Sequence, residues 1–345
     1  MRKTLKDVAE KAGVSISVAS RVLGNYGYVS EETRRKVLEI AKEIGYQPDV
    51  VARSLKTKQT YSIGVIISDV TTFFFTSVVR GIEDVANQNG YNVTLCNSDE
   101  DPDKEIEYLK VLYGRKVDGL IISPTGKNTA YLKRLIRAGM PVILLDRGIK
   151  DIETTEVLID NREGAYRAVN HLISLGHKRI GIINGIRGIM TTEERFEGYR
   201  KALQENGIPL EDELIKHGDF RIEKGKEAME EFIKMANPPT AIFVSNETMT
   251  TGALLALKEN KVNIPQDIAI VGFDDPVWAP LIDPPLTAVR QPSYSIGTIA
   301  CQALLQKLRK NNRGRPLHEE IVLKPKLIVR QSCGEKLKEQ ALKLN

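Results

Sequence analysis

The chain has 345 residues, 41% apolar and 28% charged, enough for one or two sizeable cores and a small extra module. No apolar run approaches the roughly 18 residues a membrane span needs, and the N-terminal MRKTLKDVAEKAG is charged where an export signal would be apolar. Both observations argue against membrane and secreted classes and lead us to expect a cytoplasmic protein. Cys96, Cys301 and Cys333 are odd in number and far apart, so they read as inert thiols in a reducing compartment. The net charge of +5 is unevenly placed. Residues 1–60 hold 12 Lys/Arg against 7 Asp/Glu, whereas the other 285 residues balance at 38 and 38. A small basic module on a neutral body points to a polyanionic partner at the N-terminal end.

Thr4 and Asp7 have capping-box spacing, and Leu5, Val8, Ala9 and Ala12 follow on one helical face until Gly13 ends the helix. Ser15 can cap a second helix, Ile16 to Leu23. Its Ala19, Val22 and Leu23 face inward, leaving Ile16, Ser17, Ser20 and Arg21 outside. Ser30 opens a third helix carrying Val37, Ile40, Ala41 and Ile44, closed by Gly45 and Pro48. Three short helices with a Gly-centred turn between the first two form a helix-turn-helix, whose second helix enters the DNA major groove. Arg21 is then the natural base reader, since a guanidinium can bond two acceptors of guanine. Ile16 offers apolar contact to a thymine methyl, and Ser17 a permissive hydroxyl.

The runs Thr4–Ser15, Ser20–Leu23, Val29–Ser30, Ile44–Pro48 and Ala52–Leu55 resemble the DNA-binding end of the lactose/galactose repressor (LacI/GalR) family. Val18-Ala19 departs from the Thr-Val many members carry there, which removes one hydroxyl from the backbone contacts. The resemblance implies DNA contacts from Thr4, Ser15, Asn25, Tyr46, Ala52 and Lys56 as well. It also implies that the short segment from Asp49, too short to hold a helix alone, folds as a hinge helix when two copies meet in the minor groove. Leu55 matches the family's wedging leucine, which unstacks a base step and bends the duplex.

From Tyr61 the pattern changes to short apolar runs separated by amphipathic stretches. Strands are expected at Ile63–Ile67, Val93–Cys96, Gly119–Ile122 and Val142–Leu145, with helices at 74–89, 103–114 and 128–138. A second series follows: helix 162–175, strand 180–183, helices 192–206 and 222–236, strand 241–244, helix 247–260, strand 268–272. Helix 292–310 and final strands in 319–330 complete it. The expected fold class is α/β, with an N-terminal three-helix helix-turn-helix and hinge helix, then a two-lobed periplasmic-binding-protein-like domain of two parallel α/β sheets. The expected domains are 1–48 (DNA-binding), 49–60 (hinge), 61–332 (effector-binding and dimerisation) and a tail, 333–345. Lobe 1 takes 61–160 and 291–321; lobe 2 takes 161–290 and 322–332. These lobe crossings rest on the resemblance. The tail's Leu337, Ala341 and Leu344 make a single heptad, too short for a tetramer-forming zipper.

No enzyme signature is present: there is no G-x-G-x-x-G after a strand, no P-loop, no H-E-x-x-H and no C-x-x-C. His171 and His177, six apart, read as surface or capping residues rather than a ligand pair, and neither a metal nor a cofactor is expected. Polar residues at strand ends do suggest a ligand cleft. Asp146-Arg147 follows one strand, Asn246 another, Asp274-Asp275 a third, and Arg195 lies in the first turns of a helix. Such groups bond sugar hydroxyls in forked fashion, and Trp278 could stack on a sugar face. In the resembled family the positions of Phe74, Phe75, Asp146, Arg147, Thr191, Arg195, Phe220, Asn246 and Asp274 line the effector site. Thr72-Phe73 stands where Asn-Pro is usual.

The combined reading is a non-enzymatic transcription regulator, a repressor of carbohydrate genes. As a homodimer it binds a palindromic double-stranded DNA operator under control of a sugar, sugar acid or sugar phosphate. The alternatives are a regulator driven mainly by a protein partner and a cytoplasmic sugar-binding module; residues 1–55 disfavour the latter.

Overall fold

The computed structural model describes residues 3–24, 26–46, 59–309 and 319–335 and divides into two units, 1–60 and 61–345. Asn25, Ala52, Leu55 and Lys56, the hinge segment and the tail residues Leu337, Ala341 and Leu344 lie outside the described residues.

In the first unit, local chemistry sets each helix boundary. Helix α1 (Leu5–Ala12) starts at a reciprocal cap: the Thr4 N–H donates to Asp7 Oδ2 at 2.8 Å, and the Asp7 N–H to Thr4 Oγ1 at 3.3 Å. Gly13 ends it at φ +67°, a left-handed conformation that costs glycine little. Helix α2 (Ile16–Gly24) begins where Ser15 Oγ accepts the Val18 N–H, and α3 (Glu31–Glu43) where Ser30 does the same for Thr33. Val8, Ala9, Ala12, Ala19, Val22, Val37 and Ala41 make the buried core, with Leu23, Ile40 and Ile44 packed on it.

The second unit holds two doubly wound lobes. Lobe 1 is built on β1 (Ser62–Ile67), β2 (Asn92–Asn97), β3 (Gly119–Ile122), β4 (Val142–Leu145), β5 (Thr155–Ile159) and β11 (Glu320–Leu323). These form one sheet in the order β11-β5-β4-β3-β1-β2, parallel throughout. Alternate residues of β1 go to opposite faces. Ile63, Val65 and Ile67 join α4 (Phe73–Gln88) and α11 (Ser293–Arg309) in one core, while Ile66 joins α5 (Pro102–Gly114) and α6 (Thr129–Arg137) in the other. Lobe 2 repeats the plan with β6 (Ile180–Asn184), β7 (Ile215–His217), β8 (Ala241–Val244), β9 (Ala269–Phe273), β10 (Thr287–Arg290) and β12 (Lys326–Ile328), ordered β12-β10-β9-β8-β6-β7. Its helices are α7 (Asn161–Ser174) and α8 (Met190–Glu205) on one face, α9 (Ile222–Ile233) and α10 (Glu247–Glu259) on the other. The chain passes between lobes after β5, after β10 and between β11 and β12.

Two features differ from the sequence expectation. Sheet 2 is not wholly parallel, because β12 pairs antiparallel with β10. Strands β5, β7 and β10 carry no strong apolar run: β5 reads TEVLI and includes Glu156, yet every residue is buried because β11 covers its far edge.

Helices on each face approach to backbone contact through glycine. A Cβ on Gly297 of α11 would lie 2.0 Å from the Val78 carbonyl oxygen of α4, and one on Gly252 of α10 equally close to Ile222 O of α9. Gly297→Ala should therefore lower stability by about 1–3 kcal/mol through overpacking, read as a lower urea midpoint. Gly114→Ala, with open space around its Cβ, should leave the midpoint unchanged or slightly raised.

Candidate functional site

The outer face of α2 is free of core contacts. Ile16 is 51% exposed, unusual for an isoleucine, and Ser17 and Arg21 are exposed beside it. The Arg21 side chain runs along Gly27, where a Cβ would sit 3.4 Å from Arg21 Cδ, and the Tyr26 N–H closes the turn onto Arg21 O at 3.0 Å. Other candidates are engaged locally. The Thr4 hydroxyl lies 3.0 Å from Asp7 Oδ2, Ser15 caps α2, and Ser20 Oγ shares a 2.7 Å hydrogen bond with Tyr26 OH. Tyr46 packs against the core. Tyr28, 92% exposed in the loop between α2 and α3, escaped the sequence reading. Its position between Gly27 and the Ser30 cap was the available signal.

Between the lobes of the second unit lies a cavity of about 540 Å³, its open mouth included. The carboxyl ends of the strands of both sheets converge there. Lobe 1 contributes Phe74 and Phe75 from the first turn of α4, packed edge to face at 4.9 Å, and Asp146-Arg147 after β4. Lobe 2 contributes Thr191 and Arg195 of α8, Phe220 before α9, Asn246 and Asp274. Asp146, Phe220 and Asp274 have φ values of 66°, 57° and 78°. A left-handed backbone at non-glycine residues is strained and concentrates at functional sites.

Asp146, Arg147 and Arg195 are deeply buried in this cavity, whereas Arg221 is exposed. Arg147, 5% exposed, forms a two-pronged ion pair with Glu100, both contacts at 2.6 Å. Burial works to lower the Arg147 pKa, but the Glu100 carboxylate outweighs it and the guanidinium stays charged. Arg195 donates from Nε to Asn161 Oδ1 at 2.9 Å and from Nη1 to Ser245 O at 2.6 Å, and stacks 3.9 Å from the Phe273 ring centre. Burial pushes the Asp146 carboxyl up, opposed by Arg147 and Arg195, and pushes Asp274 up, opposed by Arg195 and a 2.6 Å bond from Gln291. Asn246 is partly committed, capping α10 through its 2.9 Å bond from the Met249 N–H. Two buried atoms on the wall lack a hydrogen-bond partner: Arg147 Nε, a donor, and Gln291 Oε1, an acceptor.

The lobes are also tied directly. The Phe73 N–H at the start of α4 donates to Glu247 Oε2 at 2.9 Å, and Arg221 Nη2 to Asp99 O at 2.9 Å. Burial, with Asp274 nearby, raises the Glu247 pKa to about 7.

One candidate falls outside the cavity. Trp278 packs on the lobe 2 core that includes Met249 and Leu286, because the chain turns away from the cleft after Asp275. Asp275 itself turns from the cleft to pair with Arg290 and Arg330, joining β10 to the segment after β12. Glu100, Gln291 and Glu247 were missed by the sequence reading. Glu100 had a signal, as an acid just beyond β2 in the run NSDEDPD.

Two family models match the chain. One, described as periplasmic binding proteins and sugar binding domain of LacI family, matches residues 60–323; the other, bacterial regulatory proteins, lacI family, matches residues 4–49. The HTH-type transcriptional regulator RegA of Clostridium saccharobutylicum is 37% identical over 333 residues, 96% of this chain and 99% of that protein. Among solved structures, the lac repressor dimer bound to operator and the anti-inducer ONPF matches with a TM-score of 0.85 at 28% identity, covering 96% of this chain and 99% of that one. The complex of the transcriptional regulator CelR with cellobiose matches at 0.72 and 29% identity, covering 96% and 100%. These relatives are named as transcription regulators, and the two family models place a lacI-type regulatory domain ahead of a sugar-binding domain in this chain. The chain belongs to the LacI family of bacterial transcription regulators.

Proposed function

We propose that the chain is a dimeric repressor that reads a palindromic operator with Ile16, Ser17 and Arg21 of α2, one half-site per copy. A neutral sugar in the cleft adjusts its affinity. Support for the DNA contact comes from the exposed apolar and basic outer face of α2. Leu95, Val111, Leu255, Val277 and Leu281 are exposed and supply apolar surface for a second copy. Leu55 acts as the minor-groove wedge, and the protein works in the cytoplasm.

The pairing of Arg147 with Glu100 carries the choice of a neutral ligand. A carboxylate or phosphate needs a cation to spare, and this cavity has none in excess: Asp69, Glu100, Asp146 and Asp274 face Arg147, Arg195 and Arg221. The Gln291 Oε1, which has no hydrogen-bond partner, and the Arg147 Nε, whose contact to Asp146 Oδ2 is a long 3.4 Å, suit hydroxyl groups, which donate and accept at once. A sugar that bridges the lobes binds the closed form better than the open one and, by linkage, shifts DNA affinity by the same coupling, about 1–3 kcal/mol or 5- to 150-fold.

Calorimetry against neutral sugars, sugar acids and sugar phosphates tests this directly. Binding is expected among the neutral sugars, and a ligand found only among the acids or phosphates would overturn the reading. Arg21→Ala should abolish specific operator retention in gel shifts while leaving sugar binding intact. Asp274→Ala should remove the effector response and leave basal DNA binding.

Glu247 sets a pH dependence. An open cleft returns its carboxyl to the ordinary range near 4.5, whereas the closed cleft holds it at about 7. Between those values the closed form keeps a proton that the open form releases, so closure weakens as pH rises through the window. Effector affinity should fall between pH 5 and 7.5, and Glu247→Gln should flatten that profile in calorimetry.

A further inference from the structure

Outside the cleft, the last turn of α7 meets the segment that follows β12. There His171 Nε2 lies 3.3 Å from Cys333 Sγ and 3.2 Å from Glu335 Oε2, and the three atoms all fall within 4.8 Å of one another. The two short separations are informative. Zinc bound at about 2.0 Å to imidazole nitrogen, 2.3 Å to thiolate sulfur and 2.1 Å to carboxylate oxygen, in tetrahedral geometry, places those ligand atoms about 3.4–3.6 Å apart. Two of the three separations thus stand close to the spacing a bound ion would impose, and the sulfur-to-carboxylate one lies within 4.8 Å.

The surroundings suit the same use. Cys333 is fully buried and the His171 side chain is 15% exposed, while the Glu335 side chain is 39% exposed and leaves a way in. Glu335 Oε2 is shielded from solvent, and its contact there is the one to His171 Nε2. The Thr287 hydroxyl accepts the Arg330 N–H at 2.8 Å, so its own proton is directed to Cys333 Sγ at 3.2 Å, the second-sphere support a metal thiolate receives. His177 stands apart, bonded through Nδ1 to Thr240 Oγ1 at 3.0 Å.

We propose that His171, Cys333 and Glu335 bind one divalent transition-metal ion of the zinc class, with water as the fourth ligand. The donor set of imidazole, thiolate and one carboxylate selects against magnesium and calcium, which take oxygen ligands. On binding, the ion forms a bond to sulfur and the thiol proton leaves to solvent. The ion clips residues 333–335 onto α7, close to the helix C-terminus, where positive charge is favoured.

Untagged full-length protein, stripped with a chelator, is titrated with Co²⁺ alone. A thiolate-to-cobalt charge-transfer band should grow and saturate at one equivalent per chain, and added Zn²⁺ should bleach it. Cys333→Ser should abolish the band. His171→Gln and Glu335→Gln, on less buried side chains and with folding checked by circular dichroism, should each weaken Co²⁺ binding at least about tenfold. Absence of the band in the parent protein, its survival in Cys333→Ser, or unchanged affinity in both other variants overturns the site.

Discussion

Arg147 lies almost wholly out of water between the lobes, where a lone guanidinium would cost several kcal/mol of lost hydration. Glu100 meets it with two short, parallel contacts, and Asp146 stands 3.4 Å away. This arrangement is tolerable only because β2 and β4 end on the same rim of sheet 1 and deliver an acid and a base to one point. The geometry of the cleft depends on it. With Arg147 neutralised by Glu100 and its Nε held 3.4 Å from Asp146 Oδ2, the Gln291 carbonyl oxygen is the buried acceptor left without a hydrogen-bond partner on the cavity wall.

The same rim accounts for the strained residues. Asp146, Phe220 and Asp274 leave the ordinary backbone regions to turn their side chains into the cleft. Such strain of order 1–3 kcal/mol per residue persists only where surrounding structure enforces it. Here the enforcement comes from strands buried on both faces, whose ends cannot relax without disturbing the cores beneath. Closure adds a second layer, since Glu247 of lobe 2 accepts the first N–H of α4 in lobe 1. A carboxylate at a helix N-terminus is favourable electrostatically and costly in desolvation. Burial is the larger effect, and it leaves the Glu247 pKa at about 7.

Much of this was legible in order along the chain. Helix caps at Thr4, Ser15 and Ser30, the glycine stop at Gly13 and the apolar runs of β1, β3, β4 and β8 are local signals, and the structure follows them to within a residue or two. Nine of the ten cleft candidates line the cavity; Trp278 does not, because a turn four residues long can face either way and the lobe 2 core claims the indole. Strands β5 and β10 escaped because their burial comes from neighbours distant in sequence rather than from their own composition.

Residue type and spacing along the chain therefore determined the elements, the helix-turn-helix and the rim on which a ligand would sit, since caps, periodicities and strand ends act over a few residues. Tertiary structure alone decided which charges meet. Glu100 lies 47 positions from Arg147, Phe73 lies 174 from Glu247, and Cys333 lies 162 from His171. Sheet order and the passages between lobes, not any local pattern, bring those pairs within bonding distance.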